Sequence, residues 1–514
     1  MPQWRAFLLL ATALLGSAFV RAEEFRVRPY LQNPARDAIT VRWLSEDNQP
    51  GVLTVDMPGG PRTFSSQPVQ AAALAYNPFK PEPGGPHPAV PWLHRIRVTE
   101  LQPGTEYRYA VRQGDQTYES RFATAPGPDQ PVRFLACSDS ETEPESSTSP
   151  PVDWPAPPVH NRPEGLTKYV VDQTTGYREN LNIMAARKPQ FILITGDLVE
   201  TGGEQRDWDE FWRHNAGEYG AIASRIPVLP ALGNHENYAG PGGGYSAEGA
   251  NFGAAKFLTY FEVPSNDAAN PQHHGRYYRL DHGPITLITV DSSDGLPENT
   301  AADTNHNLTG SHAPDFNPGS EQYRWLETQL ADAQQKSRFT FVQFHHTMFG
   351  SGPHSIPFGS PNFSGQSGIA LRIMLPLFFR YGVDAVISGH DELLERSEVA
   401  GTETRPDGST RPQLIQFFDV GIAGDGLRGP STGFDNPHRK FLAHDVPEVW
   451  EGRRLVSGGK HYGHLEVNVA PDASGRWAAE FTPVHAFPQM DAEGKVVGWE
   501  RRMYDDVVRI SAAD

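Results

Sequence analysis

Two hydrophobic rhythms divide the chain. From Phe25 to about Thr124 apolar and polar residues alternate with period two, as in Ala38–Trp43, Leu93–Val98 and Tyr107–Val111. Such alternation marks half-buried strands, and Pro103-Gly104 and Gly114-Asp115 supply the turns between them. No helical period of useful length interrupts the pattern, so an all-β sandwich of about 100 residues is expected here. The Pro/Gly-rich stretch from Asn77 to Pro91 reads as a stiff surface loop, and Ala125-Pro-Gly-Pro128 as a linker.

After Pro131 the grammar becomes strands alternating with helical stretches, which predicts a layered α/β domain. Short apolar runs at Val132–Cys137, Phe191–Thr195, Val228–Leu232, Ile285–Val290, Phe339–Phe344 and Val383–Ser388 are the strands. Glu321–Gln334, with Tyr323, Leu326, Leu330 and Ala333 on one face, is a helix. Two long polar interruptions, Glu141–Pro163 and Asp294–Pro318, are of the kind that is either functional or disordered. Alternation returns in Leu465–Val469, which predicts terminal strands that finish a sheet. The resulting division is 1–22, 23–125, 131–470 and 471–514.

Composition narrows the partners. The 514 residues carry 62 acidic and 44 basic side chains, a formal charge of −18. That balance lacks the basic footprint of a nucleic-acid binder. Cys137 is the sole cysteine, which excludes an intrachain disulfide and a Cys-type zinc site. Residues 1–22 combine Arg5, an apolar run from Ala6 to Leu15, and Val20-Arg21-Ala22. This pattern predicts a secretory signal, and the run is too short to span a bilayer. A secreted or periplasmic protein without a membrane span is expected.

Five polar clusters each follow an apolar strand: Ser138-Asp139-Ser140, Gly196-Asp197, Gly233-Asn234-His235-Glu236, His345-His346 and Gly389-His390-Asp391-Glu392. Ligand sites of α/β sheets form beyond the carboxyl ends of strands. One Gly-Asp or Gly-His alone is usually a turn. Five in succession, each at a strand end, predict one crevice lined with oxygen and imidazole donors, and hence a metal site. Glycine ahead of three of the clusters is expected to let the backbone turn sharply.

In this order the clusters resemble the calcineurin-like metallophosphoesterases, over about Val132 to Val469. The preceding sandwich, starting Arg28-Pro-Tyr-Leu-Gln-Asn33, resembles the N-terminal, fibronectin type III-like domain of purple acid phosphatases. The resemblance implies two metal ions, with Asp197 bridging them. Asn234, His345 and His390 would complete one ion and Asp139 would hold the other. His235 would stabilise the transition state or protonate the leaving oxygen. The implied reaction is attack of a metal-activated hydroxide on a small phosphate ester, most readily a monoester. A phosphodiesterase or nucleotidase, and a non-catalytic metal- or phosphate-binding relative, are the alternatives.

Three departures from the pattern matter. Glu200 stands where purple acid phosphatases have the tyrosine that colours their iron. Glu392 replaces the second histidine of Gly-His-x-His. Glu141 stands where many relatives place a histidine ligand. Glu392, and Glu141 with it, would make part of the site carboxylate-rich and suited to Mn²⁺, Mg²⁺, Ca²⁺ or iron, with zinc also open; otherwise Glu392 is merely solvated. Glu200 reads as a support or a surface residue. His354, nine residues after His345, is a possible phosphate donor or a solvated loop histidine. Cys137 reads as a small core residue. Asp425 and Arg428 sit in a turn of undecided position, and His461 and His464 receive no role.

Overall fold

Strands whose two faces are both apolar must be covered on both sides, and the architecture follows from that. The computed structural model describes residues 25–76, 87–405 and 407–512. The proposed signal segment and residues 77–86 of the Asn77–Pro91 loop lie outside the described residues.

Strands β1 (Phe25–Gln32), β2 (Ile39–Ser45), β3 (Val52–Met57), β4 (Gly60–Ser65), β5 (Val69–Gln70), β6 (Trp92–Val98), β7 (Glu106–Gln113) and β8 (Gln116–Ala123) form two antiparallel sheets. Their orders are β1-β2-β6-β5 and β4-β3-β7-β8. Leu31, Val41, Trp43, Leu53, Val111 and Phe122 fill the space between them. The Trp43 indole donates to Gln113 Oε1 at 3.1 Å and stacks on His94, with ring centroids 4.7 Å apart.

The second part is a sandwich of two seven-stranded sheets. One joins β9 (Val132–Cys137), β10 (Phe191–Ile194) and β11 (Val228–Pro230) to β21 (Gly463–Pro471), β22 (Trp477–Met490), β23 (Val496–Met503) and β24 (Val508–Ser511). The other has the order β12-β13-β14-β15-β17-β16-β18. These strands are β12 (Tyr278–His282), β13 (Ile285–Thr289), β14 (Phe339–His346), β15 (Ala385–Gly389), β16 (Leu394–Thr404), β17 (Thr410–Val420) and β18 (Arg439–Leu442). A small hairpin, β19 (Val449–Glu451) with β20 (Arg454–Ser457), stands apart. β9, β10 and β11 run parallel, as do β13, β14, β15 and β17. Their carboxyl ends therefore gather on one side of each sheet.

Period two explains the layers. Phe134, Leu193, Phe341 and Ile387 point between the sheets with Leu465 and Phe481. Leu135, Cys137, Ile192 and Ile194 point outward under α1 (Gln173–Ala186), α2 (Gln205–Ala216) and α3 (Ala247–Tyr260). Val342 and Val386 lie beneath α4 (Glu321–Lys336) and α5 (Leu375–Arg380). Cys137 is a core residue as expected, and burial pushes its thiol up to about 12. The N-terminal sandwich is fastened to the α2–α3 side. Tyr30 Oη donates to the Tyr260 carbonyl at 2.9 Å, Tyr109 Oη to the Ser224 carbonyl at 2.7 Å, and Arg26 pairs with Asp209 at 2.7 Å. Among the described residues no helix is long and apolar enough to cross a membrane.

Candidate metal centre

The strand ends of both sheets converge. Asp139 follows β9, Asp197 follows β10, Asn234 and His235 follow β11, His345 closes β14, and His390 and Glu392 follow β15. Aiming these side chains inward costs backbone strain. Asp139 (φ 57°), Glu141 (φ 36°), Asp197 (φ 51°), His390 (φ 81°) and Glu392 (φ 50°) all occupy the left-handed region that L residues avoid. Such strain persists where the surroundings over-determine it, characteristically at functional sites.

The preceding glycines work differently from the sequence expectation. Gly196 does take a positive φ of 107°, but Gly233 and Gly389 do not. Their role is space: a Cβ on Gly233 would collide with the Asp197 carboxylate, and one on Gly389 with Ser138 and Asp139.

His345 is the hub. Its Nδ1 donates to the Thr195 carbonyl at 3.0 Å, which fixes the ring. Its Nε2 then faces Asp197 Oδ2 at 2.9 Å, Asn234 Oδ1 at 2.9 Å and His390 Nδ1 at 3.1 Å. The Asn234 amide is oriented by its own Nδ2, which donates to Tyr245 Oη at 3.2 Å. Three acceptors and an imidazole nitrogen around one point form a donor set for a cation. Asp197, His345 and His390 are one group whose ligand atoms lie within 4.8 Å of each other.

Asp197 also belongs to a second group, with Glu141 and His235. Its Oδ1 accepts the His235 backbone N–H at 2.9 Å. Burial opposes the charge, but His345 and His235 hold its carboxyl well below the usual range. The His235 Nδ1 donates to the Glu200 carbonyl at 2.5 Å, leaving Nε2 free at 3.9 Å from Glu141 Oε1. Burial works against its imidazolium, yet Asp197 and Glu200 carry it up to about 9.

A third group consists of Glu141, Glu392 and Asp425, with Arg428 paired to Glu392. Glu392 is 4 % exposed, so it is not solvated. Burial, reinforced by the Asp425 charge, pushes both glutamates well above the usual carboxylate range. Asp425 and Arg428, undecided in the sequence, thus border the site. Asp139 is buried beside these groups without joining any of them: its two oxygens accept the His390 N–H at 3.0 and 3.1 Å. Burial lifts its carboxyl to about 6.

The remaining residues take supporting positions. Glu200 contributes its carbonyl to His235 and is half-buried. His354 is not a solvated loop residue. Its Nδ1 donates to the Gln366 carbonyl at 3.0 Å, and its ring lies over His390 with centroids 4.0 Å apart. His461 and His464 are buried away from the cluster, against Tyr169 and Asn180 respectively.

Sequence reasoning left Glu236 without a role. It accepts three backbone N–H groups, from Asp197 at 3.0 Å, Leu198 at 2.8 Å and Gly233 at 2.7 Å, and so clamps the β10 and β11 loops together. Its place inside Gly-Asn-His-Glu was the available signal.

Imidazole, carboxylate and carboxamide donors gathered at the parallel strand ends of two facing sheets define a scaffold of the metallohydrolase class. Residues 132–391 match the calcineurin-like phosphoesterase family, and the chain belongs to it. A Mycobacterium tuberculosis protein described only as uncharacterized is 29% identical over 66% of this chain and 59% of its own. A purple acid phosphatase of Glycine max is 23% identical over 68% of this chain and 64% of its own. The chain thus spans about three-fifths of the length of these curated relatives. The fold resembles that of the yellow lupin purple acid phosphatase PPD1, with a TM-score of 0.59, 19% identity, and 94% of this chain and 74% of that one covered. It also resembles PhoD, with a TM-score of 0.57, 13% identity, and 96% and 93% covered.

Proposed function

We propose that this chain is a metal-dependent hydrolase of phosphate esters, with monoesters as its preferred substrates. The carrying observation is the convergence of Asp197 Oδ2, Asn234 Oδ1 and His390 Nδ1 on His345 Nε2 within 2.9–3.1 Å. Donors so close, without enough protons to pair them all, suit a cation. Asn234, His345, His390 and Asp197 would hold one ion, and Asp197 with the Glu141, Glu392 and Asp425 carboxylates, beside Asp139, would hold a hard second one. When bound, such a pair supplies positive charge to neutralise phosphate oxygens and to acidify a water nucleophile.

The chain's own residues do the rest. The Glu200 carbonyl accepts from His235 Nδ1 and fixes the ring, which leaves Nε2 to give a proton to a departing alkoxide. His354, whose ring lies over His390, and Arg428, paired with Glu392, would serve as donors for the terminal oxygens of a monoester. The absence of tyrosine at Glu200 predicts a colourless protein. Secretion, to the periplasm or beyond, is part of the same reading and rests on Arg5, Ala6–Leu15 and Val20-Arg21-Ala22.

The test is turnover of p-nitrophenyl phosphate against bis-p-nitrophenyl phosphate, by chelated protein with Mn²⁺, Fe, Zn²⁺, Mg²⁺ or Ca²⁺ restored singly and in pairs. A higher kcat/KM for the monoester supports the reading. Preference for the diester would reassign the substrate, and no metal-dependent turnover on either would leave a binding protein. N-terminal sequencing of exported protein tests the cleavage after Ala22.

A further inference from the structure

The long segment that follows β13 holds a second cluster of acidic groups, remote in sequence from the five motif blocks. Asp294, Glu298 and Asp303 place one carboxylate oxygen each within 4.8 Å of one another. Asp294 is 5 % exposed and Asp303 2 %. Among the described residues no lysine or arginine forms an ion pair with any of the three.

Some of their oxygens are engaged. Asp294 Oδ2 accepts from Ser311 Oγ at 3.2 Å and Glu298 Oε1 from the Gly310 N–H at 3.1 Å. Asp303 takes the Asn299 and Asn305 N–H groups at 2.8 and 3.0 Å. Two buried oxygens, Asp294 Oδ1 and Glu298 Oε2, have no hydrogen-bond partner at all. An unpaired buried carboxylate oxygen carries a large desolvation cost, and here two occur in one cluster. Burial and the neighbouring Glu298 and Asp303 charges push the Asp294 carboxyl up to about 8.

We infer that Asp294, Glu298 and Asp303 form a separate binding site for Ca²⁺ within the 294–318 segment. The donors are all oxygen, which excludes a preference for soft metals. They come from an irregular loop with no octahedral preorganisation, which suits Ca²⁺ better than Mg²⁺.

The site has a structural consequence. Thr304 Oγ1 donates to the Ser292 carbonyl at 2.7 Å, and the segment then bridges to residues 365–367 through Ser367 N–H to the Thr304 carbonyl and His306 N–H to the Gly365 carbonyl, each 2.8 Å. Gln366 at that bridge is the residue whose carbonyl anchors His354 against His390. A cation that orders the 294–303 turn thereby supports the loop carrying His354.

The test is equilibrium dialysis with Ca²⁺ on the full chain, comparing wild type, Glu298→Gln and Asp197→Asn, with thermal unfolding measured in Ca²⁺ and in chelator. Wild type and Asp197→Asn should each retain one Ca²⁺ that Glu298→Gln loses. Ca²⁺ should raise the Tm of wild type by several degrees more than that of Glu298→Gln, which keeps only the Asp197 centre. Uptake that disappears in Asp197→Asn but persists in Glu298→Gln would overturn the inference, as would a wild type whose Ca²⁺ content and Tm do not respond. If Asp197→Asn does not fold, the difference between wild type and Glu298→Gln decides the matter.

Discussion

His345 Nε2 lies 2.9 Å from Asp197 Oδ2, while the opposite nitrogen of the same ring is held on the Thr195 carbonyl at 3.0 Å. The ring therefore cannot turn away without losing a buried hydrogen bond, and the pair is presented to the cleft in fixed geometry. Replacing Asp197 by Asn should lower metal content after dialysis and cut turnover of p-nitrophenyl phosphate by at least ~100-fold. That exceeds the ~10–100-fold typical of losing a hydrogen bond that merely supports a ligand. Elemental analysis and initial rates on the same samples check it. An Asn variant with full metal content and activity would remove Asp197 from the centre.

Glu236 should behave as a positioning residue. Glu236→Ala would leave the amides of Asp197, Leu198 and Gly233 buried and unpaired, each worth about 1–3 kcal/mol if water does not enter. We expect destabilisation on the order of 3 kcal/mol in urea unfolding. Glu236→Gln keeps the volume but exchanges one acceptor for a donor. It should fold, with kcat reduced about 10–100-fold and KM nearly unchanged, because Glu236 is fully buried behind the loops it clamps. A fall in KM-linked binding with unchanged kcat would place Glu236 in substrate contact instead.

The strands of both layers were legible because burial on two faces demands continuous apolar runs: Phe191–Ile194 and Phe339–Phe344 leave no other reading. The donors at their ends were legible for the same reason. The β16–β17 hairpin was not, since the outer ends of its strands, Gly401–Thr404 and Thr410–Gln413, consist largely of partly exposed polar residues that carry no strong period. Helix α1 was equally quiet: its buried stripe includes Thr174, Gly176 and Asn180, and its start is marked only by Asp172 accepting the Thr175 N–H. Asp425 is 33 residues past Glu392 in a glycine-rich turn, and no local pattern announces that the chain returns there. The left-handed conformation of Asp139, Asp197 and His390 is likewise invisible in residue type.

The carboxylate group gives a prediction about stoichiometry. Glu141, Glu392 and Asp425 form a group separate from Asp197, His345 and His390. Asp425→Asn should therefore weaken one ion and spare the other, so that metal per chain falls from two towards one under mild chelation while the imidazole-bound ion remains. Turnover should fall by about 10–100-fold, and added Mn²⁺ should restore part of it. Loss of both ions together would show that the groups are not independent.

A last prediction concerns the N-terminal sandwich and acid. His94 is fully buried, with Nε2 2.8 Å from Ser45 Oγ, Nδ1 2.8 Å from Ser66 Oγ, and its ring flat against Trp43. Burial depresses its imidazole to about 4, with Asp47 opposing weakly. The unfolded chain, with an ordinary histidine near ~6.5, binds the proton more readily than the folded one across that interval. Stability is therefore complete above the unfolded value and declines as pH falls from about 6.5 to about 4, where the folded form also protonates. The loss should be on the order of 1–2 kcal/mol after allowance for solvent screening. Urea unfolding between pH 7 and 4 checks this. His94→Gln, which keeps a hydrogen-bonding partner for the two serines but cannot titrate, should be less stable at pH 7 and lose less on acidification. An equal acid slope in the variant would assign the sensitivity to other groups.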